Sequence, residues 1–183
     1  MGGNERLDLL VLDGPGRVRE LGPGSLIAVS PDGTKAFVDD TATRPQVRVL
    51  DLATGVEVAR LDLDATGTQV DWLLYAGDWQ GDSIVASAGP GLALFRFTGG
   101  TLRLAHVIAV DPDRYRQGVL EPRFTTADQG EVVGWAPLGD PDSDETAPTV
   151  ALRCTLDGHC AAGRPHPQRS VHPISNPSRP LAR

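Results

Sequence analysis

The chain carries two cysteines, Cys154 and Cys160, in the stretch ALRCTLDGHCAAG. Two thiols this close, with His159 beside one of them, could form a crosslink, stay free as nucleophiles or hold a metal. The residues between them decide the geometry. A three-residue loop of Leu156, Asp157 and Gly158, with Gly158 in the left-handed region, pairs Thr155 with His159. Cys154 then lies directly opposite Cys160, and cross-strand neighbours sit close enough for a disulfide. Closing so small a loop adds about 2 kcal/mol in the chain-entropy model. Two alternatives stay open at this point. Both thiols stay free in a reducing compartment. A metal site would use Cys154, Cys160, His159, His166 and His172, although that spacing fits no standard zinc pattern.

The remaining groups capable of chemistry point to structure. Asp39 and Asp40 follow a strand and could touch a cation, but no calcium-loop spacing accompanies them, so they read as solvated loop carboxylates. Asp140, Asp142, Asp144 and Glu145 alternate in an acidic loop that lacks the central glycine and closing glutamate of an EF-hand. His106 alternates with apolar residues and reads as a packed or edge histidine rather than a general base. No nucleophile elbow and no phosphate-binding glycine loop occurs. No residue is therefore assigned as catalytic, cofactor-binding or metal-binding, and no cofactor is expected. Trp72, in an apolar run, reads as core. Trp79, in GDWQGD, reads as a turn aromatic and is the candidate partner contact, although partial burial against the next blade is the more common fate of such a residue.

The elements that position these residues are short strands. Leu7 to Leu12 closes on DGPG, and Arg17 to Leu21 returns before GPG. Ser25 to Val29 leads into SPDG, where Pro31 suits the second position of a type I turn. Lys35 to Val38 returns from it. Gln46 to Leu50 leads into DLATG, where Gly55 takes the position that needs positive φ. Val56 to Leu63 closes the unit, with Val56 and Val58 on one face and Leu61 and Leu63 on the other. A bulge near Ala59 would explain that switch. The pattern repeats over Val70 to Tyr75, Ser83 to Ala88, Leu92 to Phe97 and Leu102 to Val110. In the last of these, Leu102, Leu104, His106, Ile108 and Val110 share a face. A looser third copy runs through Pro122 to Thr126, Glu131 to Ala136, Thr149 to Cys154 and His159 to Ala162.

Each unit is about 45 to 50 residues with four strands, the period of propeller blades. The expected organisation is a partial blade at 6–24, blades at 25–66, 67–111 and 119–162, and a Pro/Arg-rich disordered tail at 163–183. Several strands, such as LIAV and LALFRF, are apolar on both faces. A strand covered on both sides has that pattern, whereas an open sheet with one wet face alternates.

Composition sets the outer bounds. At 183 residues the chain can bury a real core, and its 21 glycines and 15 prolines favour turns over long helices. The formal net charge of −7 argues against nucleic acid or an anionic membrane as the main partner. No segment approaches the ~18 consecutive apolar residues of a membrane span, and the N-terminus carries no secretory signal.

The stretch AVSPDGTKAFV followed by VRVLDLATGVEVARL resembles a blade of the WD40-like and TolB-like bacterial β-propellers, in which an S-P-D-G turn joins the inner strands and a D-x-x-T-G turn the outer ones. The match is specific over Ser25 to Leu63, moderate over Val70 to Val110 and weak over Glu121 to Cys160. The full Gly-His and Trp-Asp signature of true WD40 repeats is absent. The Asp-box of sialidase propellers needs a residue between aspartate and glycine, and here Asp32 and Gly33 are adjacent. The last hairpin also resembles those of secreted propellers with paired cysteines. The resemblance implies an all-β fold, a propeller-like array of four-stranded antiparallel blades belonging to a larger ring.

About three and a half blades leave apolar faces uncovered, which predicts self-association or poor solubility. Three explanations compete: a fragment of a longer propeller, which is the expected one, then a four-bladed ring, and assembly of two half-propellers. The expected function is a non-catalytic module presenting loops to a protein or small ligand. The competing class is a fragment of a hydrolase or lyase propeller whose catalytic residues lie outside this chain. Localisation stays open: a disulfide would make the parent protein an exported or envelope protein.

Overall fold

The computed structural model describes residues 8–12, 18–40, 45–68, 74–89, 91–111, 119–125, 130–138 and 149–164. Asp8–Leu12 (β1) and Val18–Pro23 (β2) form a two-stranded antiparallel pair. Three four-stranded antiparallel sheets follow in chain order. The first holds Ser25–Val29 (β3), Lys35–Asp39 (β4), Gln46–Asp51 (β5) and Glu57–Asp62 (β6). The second holds Leu74–Gln80 (β7), Ser83–Ala88 (β8), Gly91–Thr98 (β9) and Thr101–Ala109 (β10). The third holds Leu120–Phe124 (β11), Glu131–Pro137 (β12), Thr149–Thr155 (β13) and Cys160–Ala162 (β14). Every sheet is a plain meander, and positive-φ glycines close the β3–β4, β5–β6, β7–β8, β9–β10 and β13–β14 hairpins.

The sheets stand face to face, with β7 beside both β3 and β11 at one edge and β6 beside β10 at the other. Each gap is filled from both sides. Phe37 and Phe95 meet between the first and second sheets, ring centroids 5.0 Å apart, among Val47, Val49, Leu63 and Ile84. Val85, Leu92, Leu94 and Ile108 of the second sheet meet Val132, Val150, Leu152 and Cys154 of the third. Leu9, Val11 and Leu21 of the first pair cover Ala36, Val38 and Leu50. Every residue of β8 is buried, which explains its unbroken run of small and apolar side chains.

Close approach at the inner edge needs glycine. A Cβ on Gly77 would stand 2.3 Å from the Val85 carbonyl oxygen and 2.8 Å from Ile27 Cγ2. Polar links cross the gap there too: the Phe124 amide donates to Asp78 Oδ2 at 3.0 Å and Arg123 Nη1 donates to the Gly77 carbonyl at 2.8 Å.

The repeat extends to irregularities. Each inner strand shifts register once, between Leu26 and Ala28, between Leu74 and Gly77, and between Leu120 and Arg123. Such bulges increase strand twist and re-aim side chains. Beside them Leu26, Tyr75 and Leu120 remain exposed on the three inner strands. At the third, Glu121 takes a positive φ of 48°. The expected bulge in β6 is present, one position from Ala59: Val49 faces Ala59 and Leu50 faces Glu57, leaving Val58 extra.

Two expectations need correction. GDWQGD is not a turn through its length, because β7 continues to Gln80 and only Gly81 and Asp82 turn. Nor do Leu102, Leu104, His106, Ile108 and Val110 share a face. Ala105 is bulged between Leu104 and His106, so Leu102 and Leu104 pack toward the first sheet while Ile108 and Val110 pack toward the third. Trp72, the acidic loop at Asp140 to Glu145, and the tail from residue 165 lie outside the described residues.

Candidate binding cleft between the hairpin turns

Two turns of the first sheet and the last turn of the third are built by the same device. In Ser30-Pro31-Asp32-Gly33 the Gly33 amide donates to the Ser30 carbonyl at 2.8 Å, and Gly33 sits at φ 70°. Asp32 Oδ1 then accepts from the Ser30 hydroxyl at 2.6 Å, the Thr34 amide at 3.0 Å and the Thr34 hydroxyl at 2.8 Å. These donors favour the charged form, the Ser30 hydroxyl most, and lower the carboxyl from 3.8 to about 2. Asp51 plays the same part in DLATG, accepting from the Thr54 amide at 2.9 Å and hydroxyl at 2.8 Å. Its carboxyl is lowered chiefly by the Thr54 hydroxyl. Asp157 in the last hairpin is lowered chiefly by the Thr155 hydroxyl. All three aspartates are turn-formers held as carboxylates.

The Ser30–Lys35 turn faces the β7–β8 and β9–β10 turns of the next sheet across a cleft of about 410 Å³. Asp32, Lys35 and Asp82 supply charge at its walls, and Trp79, Phe97 and Thr98 complete it. Trp79 is on a strand and only 5% exposed, so it is a wall of the cleft and not the protruding anchor expected of a turn residue. Its Nε1–H donates to the Gly81 carbonyl at 2.9 Å, and its ring meets Phe97 edge-on at 5.6 Å. Satisfying the indole nitrogen locally lets the ring lie against the first sheet without a stranded donor. A second, larger groove of about 590 Å³ runs between the outer strands β6 and β10, past Asp62, Arg103 and His106. His106 is an exposed residue of the edge strand β10, not a packed one.

Asp39 and Asp40 are buried, contrary to the expectation of solvated loop carboxylates. Strand β5 brings their environment. Gln46 Nε2 donates to Asp40 Oδ2 at 2.8 Å, and Arg48 Nε stands 3.7 Å from the same oxygen. Arg48 also donates to the Pro23 carbonyl and lies 3.9 Å from Glu57. This network ties β2, β5 and β6 to the residue that follows β4. Its one signal in the sequence is Arg48, a lone charge amid the apolar residues of QVRVL.

Cys154 and Cys160 form a disulfide, facing each other in register with Cα atoms 4.1 Å apart. The loop is the one expected: the Thr155 amide donates to the His159 carbonyl at 2.9 Å, and Gly158 sits at φ 98°. Cys154 is buried in the core while Cys160 is exposed. Among the described residues, no three His, Cys, Asp or Glu side chains are grouped to hold a metal ion. His166 and His172 lie outside those residues.

No protein-family model matches the sequence, and no curated protein matches it. Solved structures do match the fold. A protein assigned as a 6-phosphogluconolactonase from Bacteroides uniformis aligns with a TM-score of 0.51 at 13% identity, covering 80% of this chain and 42% of that one. The N-terminal domain of Nup159 aligns with a TM-score of 0.51 at 12% identity, covering 86% of this chain and 42% of that one. At these identities the likeness shows the fold alone, which is the β-propeller. The chain spans about two fifths of the length of each of these neighbours, the 42% just given.

Proposed function

We propose that the chain is a non-catalytic β-propeller module of the bacterial, TolB-like kind, whose hairpin turns present a cleft to a segment of a partner protein or a small ligand. The supporting observation is the cleft between the first two sheets. Two carboxylates, Asp32 and Asp82, and the Lys35 ammonium stand around the half-buried Phe97 ring, with the buried Trp79 packed behind it. That combination suits a short segment with an apolar body and a charged or amide end. The turn carboxylates suit structure better than acid–base chemistry, since Asp32 is held ionised down to about pH 2, far from a useful catalytic range. The disulfide favours an oxidising compartment. The competing reading, a piece of a propeller enzyme, draws no residue from the lactonase neighbour at 13% identity.

The test is selection of binding peptides from a displayed library, followed by amide chemical-shift mapping. Shifts at Ser30–Lys35, Trp79–Asp82 and Phe97–Gly99, with about tenfold weaker binding after Asp82→Lys, support the proposal. Selected peptides that shift other surfaces contradict it. So does steady turnover of ester or lactone substrates by this chain alone.

A further inference from the structure

Among the described residues, the gaps between sheets inside the array are filled from both sides, while large apolar side chains stay exposed on the two terminal faces. The third sheet packs Val132, Ala136, Val150, Leu152 and Cys154 against the second sheet. Its opposite face carries Val133 and Trp135 on β12 and Ala151 and Arg153 on β13. Trp135 there is 45% exposed, and Leu120, its cross-strand partner, is 37% exposed. At the other end, Leu9 and Val11 of β1 point into the array, while Leu10 on β1 and Val18 on β2 are each 59% exposed. The run Leu9-Leu10-Val11 is apolar on both faces, the pattern of a strand covered on both sides.

We propose that a second copy of this chain covers both ends. The outer face of β1–β2 of one copy seats on the outer face of β11–β14 of the other, and the reverse contact closes the ring. The mode of packing already exists within one chain, where the inner face of this two-stranded pair covers one face of a four-stranded sheet. Length favours a second copy over a small partner. One chain spans 42% of each matched propeller, so two copies supply about four fifths of such a ring. The contact joins unlike surfaces, and a head-to-tail contact forms a closed ring when its rotation closes.

Unlike surfaces allow a mixing test. Sedimentation velocity up to about 100 µM reads the wild type, Trp135→Glu, and Leu10→Glu/Val18→Glu. The expected wild-type species has twice the 19.4 kDa chain mass, and each variant sediments as a monomer with an unchanged far-ultraviolet spectrum. An equimolar mixture of the two variants retains one wild-type contact and returns to a one-to-one dimer. A wild-type monomer across the range overturns the proposal. So does an open ladder of larger assemblies, or a mixture that stays monomeric. Should a variant fail to fold, a photo-crosslinker at position 135 of otherwise wild-type protein replaces it. A link to residues 8–20 of another copy supports the closure, and links to any other segment overturn it.

Discussion

Replacing Cys160 with serine tests the disulfide with little else disturbed. Cys160 is exposed on the three-residue edge strand β14, so its own packing is small. The bond closes a loop of sequence separation 6, and loss of so short a constraint costs about 2 kcal/mol by the chain-entropy relation. Cys154 differs, because it is only 1% exposed among Ile108, Val132 and Leu152. Cys154→Ser loses the same crosslink and also buries a hydroxyl where a sulfur was, adding about 1–3 kcal/mol. Cys154→Ala adds about 1 kcal/mol for the missing volume. Urea unfolding of oxidised wild type, phosphine-reduced wild type and the three variants reads these values. On heating, the Cys160→Ser difference corresponds to a drop of about 4–8 °C for a domain of this size. Reduced wild type and Cys160→Ser should agree with each other. Equal midpoints for oxidised wild type and Cys160→Ser would refute the crosslink, and equal costs for Cys154→Ser and Cys160→Ser would refute the burial of Cys154.

Gly77→Ala drives a methyl group onto the Val85 carbonyl and Ile27, so it should cost about 1–3 kcal/mol in urea unfolding. Phe37→Ala removes the fully buried ring that meets Phe95 and should cost about 3–5 kcal/mol by the same assay. Acid should destabilise the fold through its turns. The Asp32, Asp51 and Asp157 carboxyls are all lowered in the folded state, so their contribution is full above the ordinary carboxylate range and fades as pH falls toward about 2. Asp32→Ala should therefore flatten the fall in melting temperature between pH 4 and pH 2, measured against wild type.

The hairpins were readable because their cause is local. SPDG, DLATG and TLDGH each hold an aspartate that can accept from nearby amides and hydroxyls, and a glycine at φ 70°, 74° or 98°. Short-range chemistry of that kind is written in adjacent residues. The errors fell where a neighbouring strand or sheet decides. GDWQGD has turn composition, yet pairing of Asp78 with Val85 and Trp79 with Ile84 carries the strand through it. The extra residue at Ala105 redirects the rest of β10, and no residue type there announces it. Asp39 and Asp40 read as wet because nothing adjacent neutralises them. Gln46 and Arg48 arrive beside Asp40 only once β5 pairs with β4. The composition of GDWQGD places Trp79 on a turn, and only the packed structure shows that the first sheet covers it. Apolarity on both strand faces guided the stacking for LALFRF, where Leu92 to Phe95 are buried, and misled for LIAV, where Leu26 and Val29 stay exposed beside the bulge.

Amide hydrogen exchange on the Leu10→Glu/Val18→Glu chain, which is expected to stay monomeric, tests the central claim, a linear stack of sheets that is covered in the middle and, among the described residues of a single chain, open at its ends. Protection should peak in β8 and β9, which are covered on both sides, and should fall through β12 and β13 to its lowest values in β1 and β14. Uniform protection across the three sheets, or slower exchange in the third sheet than in the second, would contradict the stack.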